Sequence, residues 1–210
     1  IASDMGRYIK TTFILLFSCI VTYAGERNVG IEKRFTFGAE WSYVMTLQSG
    51  YHHNYFSTEG YRVDVRDNDF LYYSNGDVYF HAGYIFDEKW DLSMYIGYAG
   101  VHDIHAVIPV SIRGTRFFDA DCKGDRWFAF TDLGSGICIK KEPQEILAGK
   151  IGGGYRLALS STTKLDFIAA ARITYTHPQV YDYGDMIPLS KTNRNNAYVS
   201  ALSIGIGISF

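Results

Sequence analysis

The clearest pattern in the chain is RFTFGAEWSYVMTLQ, residues 34–48, in which large apolar and polar side chains alternate. One parity carries Phe35, Phe37, Ala39, Trp41, Tyr43, Met45 and Leu47, and the other carries Arg34, Thr36, Gly38, Glu40, Ser42, Thr46 and Gln48. Successive side chains of a β-strand point to opposite faces. The stretch therefore predicts a strand with one face against hydrocarbon and the other against water or polar partners.

The same alternation recurs along the chain. Its apolar positions run from Val78 to Phe86, Trp90 to Tyr98, Ala106 to Ile112, Leu147 to Leu159, Leu165 to Tyr175 and Leu202 to Phe210, with a less regular segment from Arg126 to Cys138. In that segment Phe128, Phe130 and Asp132 share one parity, so its facing is ambiguous. About eight antiparallel strands predict an all-β, up-and-down transmembrane barrel with both termini on one side.

The connections between these segments differ in length from one end of the barrel to the other. Those at 87–89, 119–125 and 160–163 lie on the side of the termini and are short or moderate. The two long ones, 49–76 and 177–195, fall on the opposite side, with shorter ones at 100–105 and 140–145. Short periplasmic turns and long outer loops are typical of outer-membrane barrels.

Aromatic side chains are frequent in the two long connections, and loops seldom need them unless they pack or bind. We expect a binding face there, formed by Tyr51, Tyr55, Phe56, Tyr61, Tyr181 and Tyr183. The alternative is that the loops fold over each other and only cap the barrel.

Composition and the N-terminus narrow the class of protein. The 20 Lys+Arg and 22 Asp+Glu form no basic block, which argues against nucleic-acid binding. A cationic stretch, an apolar run from Phe13 to Val21 and small residues before Gly25 predict a signal peptide over residues 1–24. Residues 1–4 lie upstream of Met5, where such a peptide would begin. The barrel domain is then predicted over residues 25–210. A membrane anchor and a lipoprotein signal are the alternatives.

The polar faces distinguish a membrane barrel from a soluble ligand-carrying barrel, which would fill its interior with apolar side chains. They are rich in small residues but carry mid-strand charges, so we expect the bulky faces to meet lipid and the small, charged faces to line the lumen. Unpaired charges there would cost several kcal/mol, by rough estimate. We expect Glu40 and Asp166 to pair with some of Arg113, Lys150, Arg156 and Arg172 and to plug the barrel. A selective pore is the alternative.

The last eight residues, SIGIGISF, resemble the β-signal that ends outer-membrane barrel proteins and is read by their assembly machinery. Ser203, Gly205, Ile208 and Phe210 match that pattern in register. The chain as a whole resembles the uncharacterised outer-membrane β-barrel proteins of the Bacteroides type. This resemblance implies the bacterial outer membrane as location, with its lipid and lipopolysaccharide, the barrel assembly machinery and other envelope proteins as partners. It implies no catalytic residue.

No motif for a cofactor or a metal ion is evident in the sequence. The rival function is a lipid A-modifying enzyme of the same architecture, acting by acyl transfer or deacylation. Its candidate residues are His102 and His105 near the outer rim. General acid–base chemistry needs such an imidazole beside a carboxylate and a reachable hydroxyl, and no serine lies nearby in a recognisable motif. We therefore expect a structural or interaction protein.

Overall fold

A computed structural model describes residues 35–70, 72–101, 105–118, 124–138 and 145–210. The predicted signal peptide and the first residues of the predicted barrel domain lie outside these ranges. Within them, no helix is long and apolar enough to cross a membrane.

Eleven strands are formed by the described residues. They are β1 Phe35–Phe56, β2 Arg62–Asp69, β3 Tyr73–Ile85, β4 Trp90–Val101, β5 His105–Phe117, β6 Arg126–Cys138, β7 Glu145–Ala158, β8 Lys164–Thr176, β9 Tyr181–Asp182, β10 Asp185–Met186 and β11 Thr192–Ser209. One 3-10 turn, Leu189–Lys191, precedes β11.

Eight of the described strands close into a barrel. The order β1, β3, β4, β5, β6, β7, β8, β11 is antiparallel at every step, and β11 returns to pair with β1. In the closing pair Gly38 lies opposite Ser209 and Trp41 lies opposite Ile206. The prediction of a closed, eight-stranded antiparallel barrel is confirmed.

The outer face of the barrel carries large apolar side chains on every one of its eight strands. Examples, one for each strand in barrel order, are Phe37, Phe80, Ile96, Val110, Trp127, Ile151, Ile173 and Ile204, all more than 40 % exposed. Residues of the opposite parity on these strands, such as Glu40, Arg113 and Arg172, are almost fully buried. This is the reverse of a soluble barrel, whose apolar side chains face inward.

The expectation that the chain leaves the sheet at Ser49 is wrong, because β1 continues to Phe56. Above the barrel its backbone is paired with β11 on one side and with β2 on the other, so its hydrogen-bonding groups are satisfied outside the barrel wall. A short turn over residues 57–61 connects β1 to β2. The predicted first long loop is thus mainly a raised three-stranded sheet.

A β-bulge at Leu47 separates this raised sheet from the barrel wall. Thr46 pairs with Ala201, but Gln48 pairs with Ser200, so the facing of β1 reverses at this point. Above the bulge the outward face is polar. The Gln48 side-chain amide and the Tyr198 hydroxyl both donate hydrogen bonds to the Asn68 side-chain oxygen, at 2.9 and 3.0 Å. The apolar outer surface of β1 therefore ends at Leu47.

Candidate functional site

Most of the residues that the sequence singled out lie in two regions, the lumen and the outer tip. In the lumen, Arg113 on β5 is the centre of an ion-pair cluster. Its guanidinium donates to Glu40 Oε2 at 2.6 Å and to Asp132 Oδ2 at 3.1 Å, and it also donates to the Tyr95 hydroxyl at 3.1 Å. Glu40 lies on β1, three strands away around the barrel, so this contact spans the lumen.

A second spanning contact joins β8 to β3. The Arg172 guanidinium donates to Asp77 Oδ2 at 2.8 Å and to the carbonyl oxygen of Gly100 at 3.1 Å. Asp77 is completely buried. A third pair, between the adjacent strands β7 and β8, is bidentate, with Arg156 donating to the two oxygens of Asp166 at 2.6 and 2.7 Å. Such fork-shaped pairing is the strongest form of an arginine–carboxylate contact.

Lys150 differs from the arginines because its ammonium has no hydrogen-bond partner among the described atoms. The nearest carboxylate oxygen, Glu40 Oε1, is 3.8 Å away, and the ammonium lies 4.8 Å from the centre of the Tyr79 ring. A cavity of about 30 Å³ borders Lys150 and Arg172. A cavity of this size has room for about two water molecules, which would supply the missing acceptors.

The structure thus brings all six predicted lumen residues inside the barrel and adds three carboxylates that the sequence reasoning missed: Asp77, Asp91 and Asp132. Asp91 accepts a hydrogen bond of 2.5 Å from the Ser93 hydroxyl. The lumen-facing charges of the described residues balance, with Arg113, Arg126, Lys150, Arg156 and Arg172 against Glu40, Asp77, Asp91, Asp132 and Asp166. A balanced cluster that spans the lumen favours a plug over an ion-selective lining.

The lumen also contains large aromatic rings, contrary to the expectation that only small and charged side chains face inward. Phe117, Phe128 and Phe130 form a buried cluster with Ile168 and Ala170. Phe128 and Phe130 lie directly opposite Gly154 and Gly152 on β7, and a Cβ on either glycine would meet the facing ring within 2.8 Å. The glycines therefore make room for these rings.

Arginine side chains pack on these rings and connect them to the ion pairs. Arg113 lies 4.2 Å from the centre of the Phe130 ring, and Arg126 lies 3.7 Å from that of Phe117. Guanidinium groups over aromatic faces gain attraction from the ring quadrupole when they are desolvated. Inside the barrel, Arg113 thus contacts both its carboxylate partners and an aromatic ring.

At the outer tip, the turn between β1 and β2 is tied to the β9–β10 hairpin by one carboxylate. Asp182 Oδ2 accepts hydrogen bonds from the Ser57 hydroxyl at 2.6 Å, from the Thr58 amide at 3.1 Å and from the Thr58 hydroxyl at 3.3 Å. The Ser57 hydroxyl, followed by the groups of Thr58, holds the pKa of Asp182 below its ordinary value. We call this contact the tip latch.

The latched hairpin turns at Tyr183 and Gly184, whose φ angles are +49° and +92°. Two consecutive positive φ values are typical of the type I′ turn, in which Asn, Asp or Gly is the usual first residue. A tyrosine there is strained and is held in place by its surroundings. Its side chain is 78 % exposed at the end of the hairpin.

The predicted loop binding face divides into two parts. Phe56, Tyr61, Tyr181 and Tyr183 are exposed on the two hairpins that the latch connects, together with Met186. Tyr51 and Tyr55 belong to β1 and are only partly exposed; the Tyr51 hydroxyl donates to Asp67 on β2 at 3.4 Å. We call the exposed part the tip patch; it consists of Phe56, Tyr61, Tyr181, Tyr183 and Met186.

The four residues of the β-signal pattern lie on β11 and just after it. Ser203 and Gly205 face the lumen, and Ile208 and Phe210 face outward. Phe210 exchanges two backbone hydrogen bonds with Phe37, and their rings stack at 5.7 Å. This contact extends the pairing of the last strand with the first to the end of the chain.

The residues suggested for the enzyme alternative cannot be placed. His102 and the side chain of His105 lie outside the described part of the molecule. Among the residues that are described, no group of three or more His, Cys, Asp or Glu side chains could hold a metal ion.

Replacement of Asp182 by asparagine should loosen the tip latch while the barrel stays folded. A carboxylate whose pKa is lowered on folding stabilises the folded state above its unfolded pKa, and that stabilisation is lost as the pH falls through the folded value. The wild-type latch should therefore weaken below about pH 4, and the variant should show no such transition. The rate of proteolysis within residues 177–191, followed as a function of pH, measures how firmly the latch holds the hairpin. The control is Asp185→Asn on the same hairpin, which should retain the pH dependence of the wild type. Equal cleavage of the wild type and both variants at every pH would contradict the latch.

The fold and its interior define the class of protein as a closed, eight-stranded antiparallel barrel with an apolar outer surface and a charged lumen. Among solved structures, the chain is similar to the outer membrane protein OprG from Pseudomonas aeruginosa, at a TM-score of 0.48 and 9 % identity, over 84 % of this chain and 95 % of that chain. It is also similar to Neisserial surface protein A, at 0.42 and 14 %, over 84 % and 97 %. A third similarity is to Ail of Yersinia pestis, at 0.33 and 12 %, over 85 % and 100 %.

No protein-family model matches the sequence, and no curated protein matches it. The resemblance to the Bacteroides-type family stays a prediction. Because all three TM-scores are below 0.5, we assign the barrel from the strand pairing of this chain and take no function from these similarities.

Proposed function

We propose that this protein is a bacterial outer-membrane barrel with a plugged lumen, which acts as a structural or interaction protein through its outer tip. The observation that carries the proposal is the facing of the side chains. Large apolar groups cover the outside of all eight barrel strands, while paired charges occupy the inside. In water this arrangement would expose a continuous apolar surface, whereas in a bilayer the same surface meets acyl chains.

The height of the apolar surface supports a bilayer as the surrounding medium. From Phe35 to Leu47 the outward side chains of β1 cover about 40 Å of strand, or about 28 Å along the barrel axis at a tilt of ~45°. The apolar band of outer-membrane barrels is about 25 Å tall. The bulge after Thr46 turns the polar face outward where this band ends. Outer-membrane lipid and lipopolysaccharide are therefore the surroundings we assign to the barrel, and the barrel assembly machinery is the partner we assign to the β-signal residues.

The tip patch is the surface that we assign to binding of a partner protein or a surface ligand. Its exposed rings lie on two hairpins that the latch holds together, so little conformational freedom would be lost on binding. Tyrosine is also among the residues that contribute most to protein interfaces. A patch that only capped the barrel would bury its rings against the rim.

The experiment that tests this function combines membrane extraction with crosslinking in native membranes. We expect the wild-type chain to stay in the outer-membrane fraction after a urea wash and to form crosslinks with an envelope component. Replacement of Tyr61, Tyr181 and Tyr183 by serine should leave insertion unchanged and abolish most of the crosslinks.

The matched control is Phe70→Ser, which removes an exposed aromatic ring outside the tip patch. It should leave the crosslinks unchanged. Release of the wild-type chain by urea would refute the membrane location. Equal crosslinking by the triple variant and the wild type would refute the tip patch and leave the membrane location standing.

A further inference from the structure

Among the described residues, the raised sheet ends in a strand that has a neighbour on one side only. Within the described residues β2 pairs with β1 and is the last strand of the sheet. All of its side chains except that of Val63 are exposed. The free edge of such a strand offers unpaired backbone donors and acceptors to another strand.

The charges of β2 make this edge complementary to itself. Asp64 and Arg66 lie on the same face, because they are two residues apart. If a second copy of β2 pairs antiparallel with Val65 opposite Val65, each Asp64 faces an Arg66 of the other copy, and each Arg62 faces an Asn68. Opposite charges directly across a pair of strands attract.

The neighbouring registers do not share this property. In one continuous sheet, two residues that lie opposite each other must point to the same face. The next possible registers of the β2 pair therefore have the neighbouring residue, Asp64 or Arg66, at their centre. A centre at Asp64 places two aspartates opposite each other, and a centre at Arg66 does the same with two arginines. Like charges in directly opposite positions are destabilising. A centre at Val63 also joins Arg62 to Asp64, but it pairs only residues 62–64 of β2, whereas the register through Val65 pairs residues 62–68. The register through Val65 is therefore the favoured one.

We propose that β2 is a homotypic contact surface, which pairs with β2 of a second copy in an opposing membrane. The inference rests on the proposed membrane location. Two antiparallel strands of one sheet are related by a two-fold axis perpendicular to the sheet. Since β1 and β11 continue from the barrel wall into the raised sheet, that axis lies near the membrane plane, and the rotation inverts the second barrel. The two copies then face each other across the space between two outer membranes.

The exposure of the Asp64 side chain is consistent with a contact that forms in water. The Asp64 side chain is 59 % exposed, and its Oδ1 lies 2.8 Å from His52 Nε2, a contact within the same chain that holds the carboxylate in place on the outward face. Charged residues also serve to keep edge strands apart in solution. That role would leave single copies unpaired and is the alternative outcome of the test.

The test uses charge reversal in purified protein, reconstituted into red and green phospholipid vesicles whose pairing is counted by two-colour coincidence. Wild-type vesicles should pair with each other. Asp64→Arg alone and Arg66→Asp alone should each reduce homotypic pairing by about tenfold, because both cross-strand contacts become repulsive. Vesicles of Asp64→Arg mixed with vesicles of Arg66→Asp should pair again, since every contact between the two variants joins opposite charges.

The control is Glu88→Arg, an equal change of charge in the turn at the other end of the barrel, which should pair like the wild type. Protease cleavage of the tip from outside measures how many copies face outward and normalises the counts. Unpaired wild-type vesicles, or a mixture of the two variants that stays unpaired, would overturn the inference. A chain that urea strips from the vesicles would instead overturn the membrane location, so the two failures are distinguishable.

Discussion

Replacement of Arg113 by methionine should destabilise the barrel by about 3–5 kcal/mol, the usual effect of removing one partner from a buried ion pair. The guanidinium serves two carboxylates, Glu40 and Asp132, both almost fully buried. Without it the remaining cation near Glu40 is Lys150, at 3.8 Å. The free energy of unfolding, measured by urea titration in phospholipid vesicles, reports the loss.

Two further variants separate the charge of Arg113 from its packing. Arg116→Met removes an exposed arginine from the same strand and should change the stability by less than about 1 kcal/mol. Arg113→Met combined with Asp132→Asn removes one of the two carboxylate charges that Arg113 paired, keeps the lumen charges balanced and leaves Glu40 to Lys150, so it should recover part of the lost stability. If Arg113→Met were no more harmful than Arg116→Met, the cluster would not hold the barrel together.

The conductance of the wild-type protein tests whether the cluster closes the lumen. The wild-type protein should give no conductance above the background of a planar bilayer, because the contacts of Arg113 and Arg172 both span the interior. Ion flow through the wild-type barrel comparable to that of an open channel would contradict the plug.

The facing of most barrel strands follows from the sequence, because a period of two is visible wherever one face meets an apolar medium and the other a polar one. β6 shows where this reasoning fails. Phe128, Phe130 and Asp132 share one parity and all face inward. The space for the two rings comes from Gly154 and Gly152 on the next strand, and that cross-strand register is a property of the pair of strands and not of either alone.

The raised sheet was missed for a different reason. Above Leu47 both faces of β1 meet polar surroundings, so the alternation disappears although the strand continues. The bulge also reverses the parity, which a single-period pattern does not anticipate. Asp77 was missed because it directly follows Gly76, where a loop was expected to end, and its partner Arg172 is 95 residues away in sequence.

Replacement of Ile206 by arginine should destabilise the protein in a bilayer by about 2–4 kcal/mol, the effect of an arginine at the lipid-facing midplane of such barrels. Ile206 is the middle one of the five outward residues from Leu202 to Phe210, and it lies between Trp41 and Phe167 on the neighbouring strands. In a soluble barrel the same substitution would place a charge in water and change the stability by less than about 0.5 kcal/mol. Unfolding by urea from phospholipid vesicles distinguishes these two cases.

The matched control for Ile206→Arg is Asn196→Arg on the same strand. Asn196 pairs with His52 above the bulge, on the polar part of the outward face, so its substitution should have an effect of about 0–1 kcal/mol. A large effect at position 206 and a small one at 196 would locate the upper edge of the bilayer between them. Equal and small effects would mean that the apolar outer surface does not lie in lipid, and the paired charges would then have to be explained as the core of a water-soluble barrel.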